Sequence, residues 1–369
     1  MPQALGNTYG GTMPRVGIEP LRNFVIEVLE KLGTPREHAE ITADVLIESD
    51  KRDIPSHGVA RLERYVKDIQ AGTIDPKATY TILKETPTTL LVDGNAGLGQ
   101  VIAKKVMELV IEKAKKSGMA AASIRNSNHY GIAGYYAKMA LAKDLIGISI
   151  TNSAPLMVPT FGRTVILGTN PVAFAVPAGK EKPFFFDGAT TTVPRGKLEV
   201  YARLKKEIPL SWATDETGAP TSDPARVLKN MIERKGGGLA PLGGSGEEGA
   251  GYKGYDMAAI LDILSGALSL GAMGTEVYGT KGAPPGVCHF LAAMDPAAFV
   301  DLDAFKARMD SFIQMLKNAP KQEGAERIWI AGEKEWLAEE RNRTEVPLDE
   351  PTVEQLKKIG EELGVEFKL

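Results

Sequence analysis

The sequence predicts an α/β protein in which a helical domain, built from both ends of the chain, brackets an α/β middle. Three observations predict it. Helical periodicity dominates before about residue 78 and again after about residue 297. Between them, apolar strand-like runs alternate with helical patterns, which is how α/β domains read. The 369 residues also suit two domains at roughly 100–200 residues each. The expected division is 1–78 plus 297–369 for the helical domain and 79–296 for the α/β domain.

The elements follow in order. In Pro20–Leu32 the residues Leu21, Phe24, Val25, Val28, Leu29 and Leu32 share one helical face, and Gly33 ends the helix. Thr34-Pro35-Arg36-Glu37 has the form of a capping box, with Ile41, Val45, Ser49 and His38 on one side of the helix it opens. A third helix is expected from Ser56, with Val59, Leu62, Val66 and Ile69 inward and His57, Arg61 and Tyr65 on the opposite face. Strands are expected at Thr88–Asp93, Met119–Ile124, Ile146–Ile150, Val172–Val176, Phe184–Phe186 and His289–Met294. Helices are expected at Val101–Lys115, Ala133–Lys143 and Tyr255–Leu270, the last with Met257, Ile260, Leu261, Leu264 and Leu268 as its apolar set. Polar Glu207–Arg226 reads as a surface excursion, and Gly236–Gly251 as a glycine-rich loop. Helices return at Leu302–Lys317, Gly332–Arg341 and Thr352–Leu363.

Composition excludes several classes. Lys and Arg number 44 against 47 Asp and Glu, a net charge of −3 with no basic stripe, so neither nucleic acid nor an anionic membrane is an expected partner. No run of about 18 apolar residues occurs, so no transmembrane helix is expected. Met1–Arg15 lacks the form of a signal peptide, and Gly6–Gly11 reads as a leader. The one cysteine, Cys288, rules out an internal disulfide and fits a reducing compartment, so a cytoplasmic location is expected. Four histidines at scattered positions do not make a metal centre, and no metal is expected.

Four constellations are able to carry chemistry. Ser56-His57-Gly58-Val59-Ala60-Arg61 places a histidine in a helix's first turn, where the dipole lowers its pKa, with a guanidinium one turn on. A plain capped helix with a basic face reads the same way. Arg125-Asn126-Ser127-Asn128-His129-Tyr130-Gly131 gathers polar groups after an apolar strand, where ligands of α/β sheets bind but ordinary loops also occur. Thr151-Asn152-Ser153 and Gly168-Thr169-Asn170-Pro171 present amides and hydroxyls, to a substrate or merely to turns. Asp187 closes the apolar run Phe184–Phe186, either as a turn cap or as the partner of a histidine. By contrast, Gly244-Ser245-Gly246-Glu247-Glu248-Gly249 matches G-x-G-x-x-G only literally. It follows no strand and carries two glutamates where a pyrophosphate would sit. Lys253, just before a helix, is better placed to reach a phosphate.

Taken in order, these motifs resemble the malate/L-lactate dehydrogenase family of the second type, which also includes sulfolactate, ureidoglycolate and diketogulonate enzymes and a cyclic-imine reductase. The resemblance rests on Ser-His-Gly-Val-x-Arg at 56–61, Asn-x-Asn-His at 126–129, Thr-Asn-Ser at 151–153 and Gly-Thr-Asn-Pro at 168–171. Arg-Gly-Lys-x-Glu-Val at 195–200, Pro-Leu-Gly-Gly at 241–244 and Gly-Tyr-Lys-Gly at 251–254 complete it. It covers about residues 18–369.

The resemblance implies a non-Rossmann fold with a mixed sheet, NAD or NADP as cofactor, a small 2-hydroxy or 2-oxo acid as substrate, and a homodimer. It implies that His57 exchanges the substrate proton, with Arg61 and His129 beside it. Ser56, Arg61, Tyr65, Thr169 and Asn170 are the candidate substrate contacts. Phe185, Phe186, Asp187, Gly188, Ala189, Thr190, Lys253, Gly254, Gly332 and Glu333 are the candidate cofactor contacts. Malate is the leading substrate, ahead of lactate and sulfolactate. Reduction of a cyclic imino acid is the nearest alternative, and a non-catalytic nucleotide-binding protein is the alternative of another class. Two departures from the family pattern bear on the cofactor contacts: Gly188 stands where many relatives have methionine, and Glu247–Ala250 lengthens the glycine loop.

Overall fold

The computed structural model describes residues 13–368, so the stretch Gly6–Gly11 lies outside the described residues. The chain forms two compact units. One comprises the chain up to Gln70 together with Lys334 onward, and the other is Ala71–Glu333.

The first unit is mainly helical. Ile18–Lys31 buries Leu21, Phe24, Val25, Val28 and Leu29, the face its periodicity predicts. The helix Arg36–Lys51 follows, with His38 buried in it. The capping box does not form, because the N-cap is Pro35, one residue later than the box requires, and the Thr34 hydroxyl is buried without a hydrogen-bond partner. Arg15–Gly17 pairs antiparallel with Glu345–Pro347. Arg52, buried, forms ion pairs with Glu48 and Glu339 at 2.7 Å each and stacks on Trp336, which fastens the N-terminal helices to Glu333–Arg341. Asp349 caps the final helix, Glu350–Leu363, by accepting from Thr352 N.

The second unit is built on a mixed seven-stranded sheet. Its spatial order is Thr81–Glu85, Thr89–Asp93, Met119–Ser127, Val287–Met294, Ile146–Thr151, Val172–Val176 and Phe184–Gly188. Only the Thr89–Asp93 and Met119–Ser127 pair is parallel, and the helix Gly99–Ser117 supplies the crossover such a pair requires. All other pairs are antiparallel. The edge strand Thr81–Glu85 is exposed throughout and carries no buried face for a sequence pattern to show.

Along Ile146–Thr151, Ile148 and Ile150 pack against Leu261 and Leu264 of the segment beginning with the helix Gly251–Asp262. Ser149 points the other way and bonds Tyr130, just before the helix Ala133–Leu141. Helices therefore cover both faces of the sheet.

Three differences from the sequence reading matter. Glu207–Arg226, expected as a surface excursion, is part of a packed module. Val193, Leu198, Ile208, Ala213, Val227 and Leu239 form its own core, between the helices Arg195–Arg203 and Pro224–Glu233. The helix expected over Tyr255–Leu270 starts at Gly251 and loosens into a π-turn at Ile263–Ala267. In its apolar set Leu261 is buried, whereas Met257, Ile260 and Leu268 are exposed. The helix Leu302–Lys317 belongs to the sheet-containing unit, apart from the terminal helices. Asp310 accepts three backbone N–H groups from Gly179, Lys180 and Glu181, and Lys317 pairs with Glu181 and Glu333.

Candidate active site

Ser56, His57, Arg61 and Tyr65 lie in the helical unit. No single helix begins at Ser56. Pro55–His57 and Val59–Arg61 are two separate 3-10 turns, and the α-helix starts only at Leu62. Gly58 divides the turns in an extended conformation. Because the two turns are broken and wound differently, the four-residue spacing assumed from His57 to Tyr65 is lost. Tyr65 is fully buried, so it does not share an exposed face with His57.

A different device joins His57 and Arg61. Arg61 Nε donates to the Ser56 carbonyl at 2.6 Å, while the Ser56 hydroxyl bonds His57 Nδ1 at 2.9 Å. His57 is partly buried. Burial, with the Arg61 and Arg64 guanidinium ions adding, pushes its pKa down to about 4. The imidazole is therefore neutral at pH 7. The lowering expected from a helix dipole comes instead from desolvation and two neighbouring cations.

Sequence reasoning passed over Asp50. It is buried near the end of Arg36–Lys51 and accepts Val59 N–H at 2.8 Å, directly beside the His57 turn.

His129, Thr169, Asn170 and the nucleotide candidates up to Glu333 lie in the sheet-containing unit. The loop at 125–131 is pinned from several sides. Asp93 accepts from Arg125 Nε and Asn126 Nδ2, and Asn128 Nδ2 donates to the carbonyls of Ala96 and Gly97. His129 stays partly exposed, with Nδ1 accepting from Gly131 N at 3.4 Å. His289 is wholly buried, bonded to Ser127 Oγ at 2.9 Å and Thr151 Oγ1 at 2.8 Å, with its ring stacked on Tyr130.

Thr169 and Asn170 act as scaffold in the described geometry. Asn170 is buried, with its side-chain Oδ1 accepting from Ser153 N and its Nδ2 donating to Ala258 O. Thr169 N donates to Ser153 Oγ, and the Thr169 carbonyl accepts from both the amide and the hydroxyl of Thr190.

Asp187 accepts from Gly134 N at 2.7 Å, a carboxylate at the N-terminal turn of the helix Ala133–Leu141. Phe185 is buried, whereas Phe186 exposes its ring. Gly332 lies against the Phe185 backbone at φ +87, where a Cβ would meet Phe185 Cβ at 2.5 Å. Glu333 accepts from Ile330 N and pairs with Lys317 and Arg327, which hold its carboxylate below the usual range against the opposing effect of burial. Gly188 and Ala189 are half-buried and lead to buried Thr190, whose carbonyl accepts from Leu242 N. Gly254 packs against Leu242 so closely that a Cβ would lie 2.4 Å from its carbonyl oxygen. Lys253 is exposed in the first turn of Gly251–Asp262.

The structure therefore gathers Phe185, Asp187, Gly332 and Glu333 at one sheet edge, ties Thr169 and Asn170 to Thr190, and sets Thr190 and Gly254 against Leu242. The literal glycine fingerprint is a loop following the two-residue strand Gly238–Leu239. That strand pairs with Ala213–Thr214, outside the main sheet. Among the described residues no cluster of metal-ligating side chains occurs, and no helix is long and apolar enough to cross a membrane.

The family model described as malate/L-lactate dehydrogenase matches residues 16–357. The chain is 47% identical over 352 residues to a malate dehydrogenase of Pyrococcus abyssi, covering 95% of each protein. It is 40% identical to an L-sulfolactate dehydrogenase of Methanocaldococcus jannaschii, covering 94% of this chain and 96% of that one. The crystal structure of a malate dehydrogenase from Entamoeba histolytica superposes with a TM-score of 0.91 at 36% identity, over 97% of this chain and all of that one.

Proposed function

The chain belongs to the malate/L-lactate dehydrogenase family, and from that premise we propose that it interconverts malate and oxaloacetate, with NAD or NADP as its cofactor. Membership makes it an oxidoreductase of 2-hydroxy acids. The choice of malate follows the named activity of its similar relatives, and sulfolactate is the second candidate for the same reason.

The observation that carries the proposed chemistry is the Ser56–His57–Arg61 arrangement. With Nδ1 held by Ser56, the proton that moves is the one at His57 Nε2. In oxidation neutral His57 takes the hydroxyl proton, and in reduction protonated His57 returns it to the carbonyl oxygen. Arg61, whose Nε is fixed on the Ser56 carbonyl, offers its fork to a substrate carboxylate.

The cofactor candidates suit a dinucleotide. Lys253 is an exposed cation in a helix's first turn, where backbone N–H groups favour phosphate, and Phe186 presents an exposed ring beside Asp187. A nicotinamide cofactor, when bound, supplies or accepts the hydride. We place the nucleotide on the sheet-containing unit, and we propose a cytoplasmic homodimer with no nucleic-acid or membrane partner.

Purified protein with NADH or NADPH, offered oxaloacetate, pyruvate, sulfopyruvate or a cyclic imino acid, tests the proposal by absorbance. Oxaloacetate is the expected substrate, and His57→Ala should lower its turnover by on the order of 10²–10⁴-fold. Preference for the imino acid would move the assignment to C=N reduction. Cofactor binding without turnover on any of the four would support the non-catalytic alternative.

A further inference from the structure

We propose that Asp50 is a positioning residue for the proton-exchanging histidine: from the end of one helix, its carboxyl fixes the break at Gly58 that separates the His57 turn from the Arg61 turn. The inference rests on the reading of His57 given above.

Asp50 is 3% exposed. Its Oδ2 accepts Val59 N–H at 2.8 Å, the first amide of the second turn. Its Oδ1 fills the space a side chain at position 58 would need, since a Cβ on Gly58 would lie 1.8 Å from that oxygen. The φ of Gly58 is −82°, which any residue adopts, so contact with Asp50 and not backbone strain demands glycine there. The surrounding backbone is registered on the same helix end. Ser49 Oγ donates to Ile54 O at 2.8 Å, Ile54 N donates to Ser49 O, and His57 N donates to Ile54 O. Arg61 N then donates to Gly58 O. The proposed acid/base and the proposed carboxylate anchor are thus both set from one end of Arg36–Lys51, and Asp50 is the side chain that spans from it to the second turn.

The charge state agrees with this role. Burial pushes the Asp50 carboxyl up to about 8, with Asp349 adding as a like charge. The cations acting on His57 are Arg61 and Arg64. At pH 7 Asp50 is mostly the neutral acid, which asparagine reproduces in shape, in charge and as an acceptor for Val59.

The test compares Asp50→Asn, Asp50→Ala and Gly58→Ala in the full chain. Three quantities are read: turnover on the oxo acid that the wild type uses, NADH affinity by fluorescence, and the His57 titration by NMR with labelled histidine. Asp50→Asn is expected to keep turnover within about threefold. Asp50→Ala and Gly58→Ala are each expected to lose roughly 30- to 100-fold in turnover, with NADH affinity within about twofold, because a displacement of about 1 Å costs on that order. In both, His57 should titrate nearer its ordinary value, as its turn loosens into water. Should Asp50→Ala fail to fold, Gly58→Ala still tests the contact from the other side. Unchanged turnover in folded Asp50→Ala or Gly58→Ala, or a wild-type His57 titration in either, overturns the proposal. If His57→Ala itself retains activity, the functional reading fails first, and the NMR titration still decides whether Asp50 sets the turn.

Discussion

A neutral histidine is ready to act as a base and must first gain a proton to act as an acid. With its free-protein value near 4, His57 is already in the form that accepts a hydroxyl proton at any pH above about 5. Reduction of an oxo acid needs the imidazolium. The two directions should therefore differ in pH dependence. We expect kcat/KM for oxaloacetate reduction to fall as pH rises from 6 to 8, while kcat/KM for malate oxidation stays flat or rises. A reductive profile that rises with pH would remove His57 from the proton path. The pairing of His57 with Arg61 was legible in the sequence, but the geometry behind it was not. Local spacing predicts one helix, whereas the observed link runs through the Ser56 backbone. Asp50 was illegible for a related reason: it sits within a regular helical pattern, and only the approach of Gly58 shows what its carboxyl does.

Strands place the polar groups of the second unit. His289, Ser127 and Thr151 stand on three adjacent strands, at the ends that lead into the 125–131 and 151–153 loops. Thr151 Oγ1 faces the carbonyls of Asn152 and Cys288 at 2.9 and 3.0 Å, so its proton goes to them and it accepts from His289 Nδ1–H. Burial pushes His289 down to about 3. Between that value and its ordinary one near 6.5, the unfolded chain binds a proton that the folded chain refuses. The stability this neutral histidine confers is thus complete above pH 6.5 and is lost as pH falls toward 3, by an amount on the order of 5 kcal/mol at most. His57 works in the same direction. Asp50, raised to about 8, works oppositely: its contribution is complete below its ordinary carboxylate value and is lost as pH rises toward 8. The melting temperature of His289→Gln should accordingly drop less between pH 6.5 and 5 than that of the wild type. An equal drop in both would show that His289 does not titrate out of the fold. Most strands were visible as apolar runs, yet their order was not. Val287–Met294 inserts between Met119–Ser127 and Ile146–Thr151 from far along the chain, and nothing local encodes that pairing.

Burial across the sheet-containing unit leaves one feature unexplained by its own core. From Tyr252 to Met273 the segment exposes Met257, Ile260, Ile263, Leu268 and Leu270, with Ile260 54% and Leu270 80% exposed. Met257, Ile260 and Leu268 belong to the apolar set that the periodicity picks out, since periodicity reports which residues avoid water and not what covers them. Large apolar side chains exposed in such density along one segment mark association sites more often than scattered exposed ones do. A second copy of the chain is the proposed occupant, in keeping with the homodimer that the family resemblance implies. Sedimentation equilibrium should return twice the chain mass at micromolar concentration. The double substitution Ile260→Glu and Ile263→Glu places two charges on the patch, where burial without partners would cost several kcal/mol. That variant should sediment as a single chain with an unchanged far-ultraviolet circular dichroism spectrum. A wild type that sediments as one chain would refute the dimer, and a double variant that remains a dimer would move the interface to another surface.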